Sequence, residues 1–114
     1  MVKMDCLFCK IVDGTIPASI VKQNNKVTAF KDISPQAPTH ILVIPNQHYE
    51  NLGVVSESDP ELAGEILKIA SQIAKEHGLD SWRININTGE SAGQSVFHAH
   101  IHLLGGRPFA WPPG

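Results

Sequence analysis

Cysteine and charge of one sign are both scarce in this chain, and each scarcity closes a route. Two cysteines in 114 residues cannot make a disulfide scaffold, which needs several bridges. Nine Lys and Arg against eleven Asp and Glu leave a net charge of −2, and the cations form no block. Nucleic acid is therefore not an expected partner, because neutralising phosphates takes clustered Lys and Arg. No apolar run approaches the ~20 residues of a membrane span, so no membrane partner is expected either. The N-terminus shows no apolar signal core, and the cytoplasm is the expected compartment. Length and a hydrophobic fraction of 42% suit one globular domain with a single core, residues 1–114.

What the chain has in plenty is histidine. Three of its six histidines, His98, His100 and His102, occupy alternate positions in Ser95-Val96-Phe97-His98-Ala99-His100-Ile101-His102-Leu103-Leu104. A strand places residues i, i+2 and i+4 on one face. Three imidazoles would then line one face roughly 7 Å apart, with Phe97, Ala99, Ile101 and Leu103 turned to a core. A His-rich solvated face, a metal site and nucleophilic or acid–base chemistry all fit this pattern. The outer two positions of such a strand lie nearly ~14 Å apart, so at most two imidazoles could share an ion with ~2.0 Å bonds. Nucleophilic or acid–base work is the favoured reading. The glycine-bearing segment 89–95 lies immediately before it and could turn backbone N–H groups toward an anion.

The rest of the chain reads as an α+β layout. Residues 6–12 suit a short helical turn or loop. Residues 20–22 and 27–31 read as strands around an Asn24-Asn25 turn, 32–38 as a proline-bearing loop, and 40–44 as a strand ended by Pro45. Residues 54–58 read as a connection. A helix is expected over 60–77, capped by Ser58 or Asp59 with Pro60 at its first position, carrying the stripe Leu62, Ile66, Ile69, Ala70 and Ile73. His77 then sits exposed near the helix end, before Gly78. Residues 81–87 read as a strand. About five strands in mostly meander order result, with the helix on one face and the histidine face open to a ligand.

The segment His98-Ala99-His100-Ile101-His102-Leu103-Leu104 matches the His-φ-His-φ-His-φ-φ signature of the histidine triad family. Asp32-Ile33-Ser34-Pro35-Gln36-Ala37-Pro38-Thr39-His40, Gly93-Gln94-Ser95-Val96-Phe97, Gly105-Gly106-Arg107 and Trp111-Pro112-Pro113-Gly114 resemble segments of its Hint branch, so the likeness covers nearly the whole chain. The resemblance implies a five-stranded antiparallel sheet with one long and one short helix. It further implies a homodimer joining two sheets into ten strands, with the tail 105–114, Trp111 included, reaching the partner's site.

The activity it implies is that of a purine nucleoside phosphoramidase, which hydrolyses the P–N bond of a nucleoside 5′-phosphoramidate to a nucleoside monophosphate and an amine, without a catalytic cofactor. By match of motif, His100 is the nucleophile, forming a nucleotidyl-histidine intermediate, and His40, His98 and His102 complete its network. Ser95 would relay a proton to the departing amine, and backbone N–H groups of Gly93, Gln94 and Ser95 would hold the phosphate. Asp32 would bind the ribose hydroxyls, Asn87 would lie near ribose or phosphate, and Leu7, Phe8, Ile11 and Ile33 would sandwich the base. Phe97, Ala92 and Phe109-Ala110 depart from the commoner pattern of the branch, which leaves the amine open. A dinucleoside polyphosphate hydrolase or nucleotidyltransferase, and a non-enzymatic nucleotide-binding module, are the alternatives; Ser95 and the Trp-Pro-Pro-Gly tail weigh against the first.

Cys6-x-x-Cys9 stands apart from this chemistry. Two small buried residues and half of a structural zinc site both fit the spacing, whereas a thioredoxin-like pair would follow a strand that is lacking here. Some branches of the family complete a zinc site with positions that fall on His48 and His98, which would leave His100 free and help to position its strand.

Overall fold

The computed structural model describes residues 5–114, so the first four residues of the expected domain lie outside the described residues. Five strands, β1 (Ile20–Gln23), β2 (Val27–Lys31), β3 (Thr39–Pro45), β4 (Trp82–Asn85) and β5 (Ile101–Gly105), form one antiparallel sheet in the order β1-β2-β3-β5-β4. The order keeps most of the expected meander, with β1-β2-β3 and β4-β5 pairing in sequence, and departs from it at one step. β5 lies between β3 and β4, so the chain leaves β3, crosses through two helices to the far edge, and returns inward.

Those helices are α2 (Leu52–Ser58) and α3 (Pro60–Glu76). In α3 the Asp59 carboxylate accepts from the Leu62 N–H, and Pro60 supplies a first-turn residue that needs no donor partner. Leu62, Ile66, Ile69, Ala70, Ile73 and Ala74 form the buried stripe, which packs on Ala29, Ile41, Val43, Ala99, Ile101 and Leu103. The region expected to be a connection is in fact α2. Asn51 caps it by accepting from Val54 N–H, but it buries only Leu52 and Val55, and two positions do not make a readable helical period.

The histidine face also differs from expectation. A short helix, α1 (Leu7–Val12), lies on it and buries Phe8, Cys9 and Ile11 against Phe30, Leu42 and Ile44. Alternation along β3 sends Ile41 and Val43 to the α3 side and Leu42 and Ile44 to the α1 side, as a two-residue period requires. His98, His100 and His102 share the α1 side, where His98 and His100 are buried and His102 stays partly exposed. β5 itself begins only at Ile101. His98 and His100 precede the paired strand, yet Ala99, Ile101 and Leu103 are completely buried. Phe97 does not join them: it is 43% exposed, because the chain is still leaving the 89–95 turn there. Among the described residues no helix is long and apolar enough to cross a membrane.

Candidate active site

Two groups of histidines form on the α1 side of the sheet. In the first, α1 brings Cys6 and Cys9 to His98 and to His48, which follows the end of β3. The ligand atoms of these four residues lie within 4.8 Å of one another. His98 Nδ1 lies 3.2 Å from His48 Nδ1, 3.3 Å from Cys6 Sγ and 3.5 Å from Cys9 Sγ, and Cys9 Sγ lies 3.5 Å from His48 Nδ1. Bonds of about 2.0–2.3 Å to a tetrahedral zinc ion would separate the ligand atoms by roughly 3.3–3.8 Å, so the spacing matches. The protons match as well. His98 Nε2 lies 2.8 Å from the Pro45 carbonyl. A carbonyl only accepts, so Nε2 carries the proton and Nδ1 turns its lone pair to the cluster. The Cys₂His₂ donor set therefore fits zinc, with Cys6, Cys9, His48 and His98 as the holders.

The second group is Asp32, His40 and His102, whose potential ligand atoms also lie within 4.8 Å of one another. Here the protons are placed differently. The Gln36 N–H donates to His40 Nδ1 at 3.0 Å, so the neutral ring carries its proton on Nε2. That Nε2–H faces His102 Nδ1 at 2.9 Å, which leaves the His102 proton on its own Nε2. A metal on His40 Nε2 would require a proton on Nδ1, where an N–H already points. This group is a one-way hydrogen-bond relay from the Gln36 amide through His40 to His102. Asp32 Oδ2 stands 3.5 Å from His40 Nε2, while Oδ1 accepts from the Ser34 N–H at 2.8 Å. Asp32 thus caps its own loop and still presents an oxygen to the site.

His100 lies between the two groups. Its Nδ1 is 2.8 Å from the His98 carbonyl, so Nδ1 carries the proton and Nε2 the lone pair. The Phe8 ring stands edge-on to it at 5.2 Å, and the His102 ring is 5.1 Å away. Burial keeps all four rings neutral. It holds His98 and His102 down to about 4, and it lowers His40 and His100 although Asp32 pulls both upward.

The remaining expected site residues divide. Leu7, Phe8, Ile11, Asp32 and Ile33 are brought together around one apolar cavity of about 250 Å³, which Phe30, Leu42 and Val96 also line. Ile33 stands almost wholly in solvent at its rim. Ser95 is exposed and lines a neighbouring cavity with Phe97, Leu7 and His48. Asn87 accepts from the Asn85 amide at 2.9 Å and shares a third cavity with His40 and His102. The phosphate-loop expectation is narrowed. Gly93 N–H bonds the Glu90 carbonyl and Gln94 N–H the Gly89 carbonyl, so neither is aimed at a ligand. The Gln94 side chain is also spent, accepting from Gly89 N–H and donating to the carbonyls of Glu50 and Val96. Gln94 is a staple that holds the turn, and only the Ser95 N–H keeps out of these internal bonds among the described residues. Gly93 has φ +102°, a conformation glycine adopts without strain. Trp111 is 84% exposed, beyond a tail anchored by Arg83 on the Ala110 carbonyl and Arg107 on the Gln36 carbonyl.

Sequence reasoning missed the Gln36 amide, because a backbone donor leaves no signature in residue type. It also missed Arg83, Arg107 and Phe109 beside His102, where both guanidinium groups stack on the Phe109 ring at 5.0 and 4.3 Å.

An α+β domain with three alternating histidines at the entry of an inner strand defines the class as a histidine triad fold. The HIT domain family model matches residues 13–109, and the chain belongs to that family. A HIT-like protein of Synechocystis is 46% identical over 111 residues, covering 96% of this chain and 97% of its own. The 14 kDa zinc-binding protein of Zea mays is 48% identical over 111 residues, covering 95% and 87%. Among solved structures, a HIT family hydrolase from Legionella pneumophila superposes with a TM-score of 0.93 at 46% identity, covering 96% of this chain and all of its own.

Proposed function

We propose that this chain is a nucleoside phosphoramidase of the Hint branch, acting on purine nucleoside 5′-phosphoramidates of the adenosine type. The observation that carries the reading is the 2.8 Å bond from His100 Nδ1 to the His98 carbonyl. It commits the ring to one tautomer and leaves Nε2 as a neutral nucleophile at ordinary pH. The Nε2 lone pair attacks the α-phosphorus and the P–N bond breaks. Its electron pair stays on the nitrogen, which takes a proton through the Ser95 hydroxyl, itself resupplied from solvent. Water then attacks phosphorus and releases a proton to solvent, which replaces the one the amine took; the P–Nε2 bond breaks, and its electron pair returns to the ring as the Nε2 lone pair. The relay supports the same role: His102 keeps its proton on Nε2, as a donor to a phosphate oxygen. The apolar cavity with Asp32 at its edge takes the nucleoside.

The Cys6, Cys9, His48 and His98 group holds a structural zinc ion in this reading, and catalysis itself needs no cofactor. The name of the Zea mays relative supports the zinc, as that of the Legionella relative supports hydrolysis. The chain acts as a cytoplasmic homodimer, its two sheets joined into ten strands and the Trp111 tail reaching the partner's site. The test is steady-state hydrolysis of a fluorogenic adenosine 5′-phosphoramidate, with quenched samples weighed for a nucleotidyl adduct. Turnover and adduct are expected in the wild type, and both are lost in His100→Ala. A folded wild type without turnover on this substrate removes the reading and turns attention to dinucleoside polyphosphates.

A further inference from the structure

His98 takes part in both the metal-ligating group and the hydrogen bonding of the nucleophile. Its ring offers Nδ1 to Cys6, Cys9 and His48 and is clamped at Nε2 by the Pro45 carbonyl. Its main-chain carbonyl accepts the Nδ1–H of His100 at 2.8 Å. The N–H on the other side of the same peptide unit, that of Ala99, donates to the Tyr49 carbonyl at 2.7 Å. A trans peptide is planar, with its N–H and C=O pointing in opposite directions. The Ala99–Tyr49 bond therefore sets the direction of the carbonyl that holds His100. Both supports of this peptide plane lead back to the cluster, one through the His98 ring and the other through Tyr49, the residue after His48. Phe8, on the helix that carries Cys9, packs against both rings, its centroid 5.9 Å from that of His98 and 5.2 Å from that of His100 in T-shaped contacts.

We propose that Cys6, Cys9 and His48 are positioning residues for catalysis: ligated together with His98, they fix the plane of the 98–99 peptide, and so keep the His100 proton on Nδ1 and its lone pair on Nε2. The catalytic meaning of this coupling rests on the phosphoramidase reading, whereas the coupling itself is a property of the fold. An imidazole with a loosened Nδ1–H partner divides between tautomers, and the fraction with the proton on Nε2 has no lone pair there to attack with. Partners that orient a reacting side chain through a hydrogen bond are worth about 10–100-fold in activity when removed, and the loss falls mainly on kcat. A purely structural cluster would change stability without moving the His100 proton.

The test reads the His100 tautomer by long-range ¹H–¹⁵N NMR in zinc-loaded protein, in protein stripped by a chelator, and after zinc is returned, with kcat and KM measured on the same samples. The zinc-loaded protein is expected to show a single Nδ1–H tautomer at His100. Stripping is expected to give a mixture and a kcat lower by about tenfold, and added zinc to restore both. A stripped, folded protein that keeps the single tautomer and its kcat overturns the proposal, as does a protein that binds no zinc. If the stripped protein unfolds, zinc-loaded His48→Ala supplies the comparison, because Cys6, Cys9 and His98 remain. A mixed tautomer is then expected, and a wild-type tautomer overturns the proposal. If the zinc-loaded protein cleaves no phosphoramidate, the functional reading falls, and the tautomer change alone decides the coupling.

Discussion

The two histidine groups look alike by composition. Each sets two imidazoles beside anionic or thiol groups within 4.8 Å, on the same side of the sheet. What separates them is which ring nitrogen the backbone claims. At His98 a carbonyl takes the Nε2 proton, which turns a lone pair toward three other ligand atoms. At His40 an N–H takes the Nδ1 lone pair, which turns a proton toward the next ring. The first arrangement suits a cation and the second passes polarity along toward a phosphate. Residue type chooses the chemistry available, and the main chain chooses between a ligand and a donor.

The largest effect expected on this contrast comes from His100, which stands between the groups. His100→Ala should lower turnover by at least about 10⁴-fold, as loss of a nucleophile does, while zinc content measured by metal analysis stays at one per chain. Loss of zinc in that variant would show that the groups are not separate. His40→Ala should be milder, lowering kcat by about 10²-fold with zinc content again intact, because the His102 ring loses the partner that fixes its proton. If His40→Ala instead released the metal, the second group would be a ligand set after all.

A smaller effect concerns acid. In the metal-free protein, burial holds His98 and His102 down to about 4, from an ordinary 6.5. The unfolded chain therefore takes up protons first as the pH falls. Stability should be full above pH 6.5, decline between about 6.5 and 4, and level off below that. Denaturant midpoints across this range check it. His102→Asn should flatten the decline, and a midpoint that rises on acidification would contradict the neutral buried rings.

Much of this was legible in the chain. The alternation of His98, His100 and His102 placed three imidazoles on one side and Ala99, Ile101 and Leu103 in the core, because a two-residue period survives even where strand pairing has not yet begun. The Cys6-x-x-Cys9 spacing became half of a compact donor set because one turn of helix brings both side chains to one end of α1. The stripe from Leu62 to Ile73 was readable because α3 runs for 17 residues. Helix α2 was not, since seven residues with two buried positions carry too little pattern. The position of β5 inside the sheet was hidden because strand order depends on long-range pairing. The packing of α1 onto the histidine face was hidden because Phe8 reads as core from either arrangement. The internal bonds of the Gln94 side chain were hidden too, because its partners Glu50, Gly89 and Val96 meet it only in the folded loop.

Ligand and donor are told apart by the tautomer of each of the four site histidines in the zinc-loaded protein, read from long-range ¹H–¹⁵N NMR. The proton is expected on Nε2 of His40, His98 and His102 and on Nδ1 of His100. A proton on Nε2 of His100 would remove the nucleophile, and a proton on Nδ1 of His40 would make the second group a metal site rather than a relay.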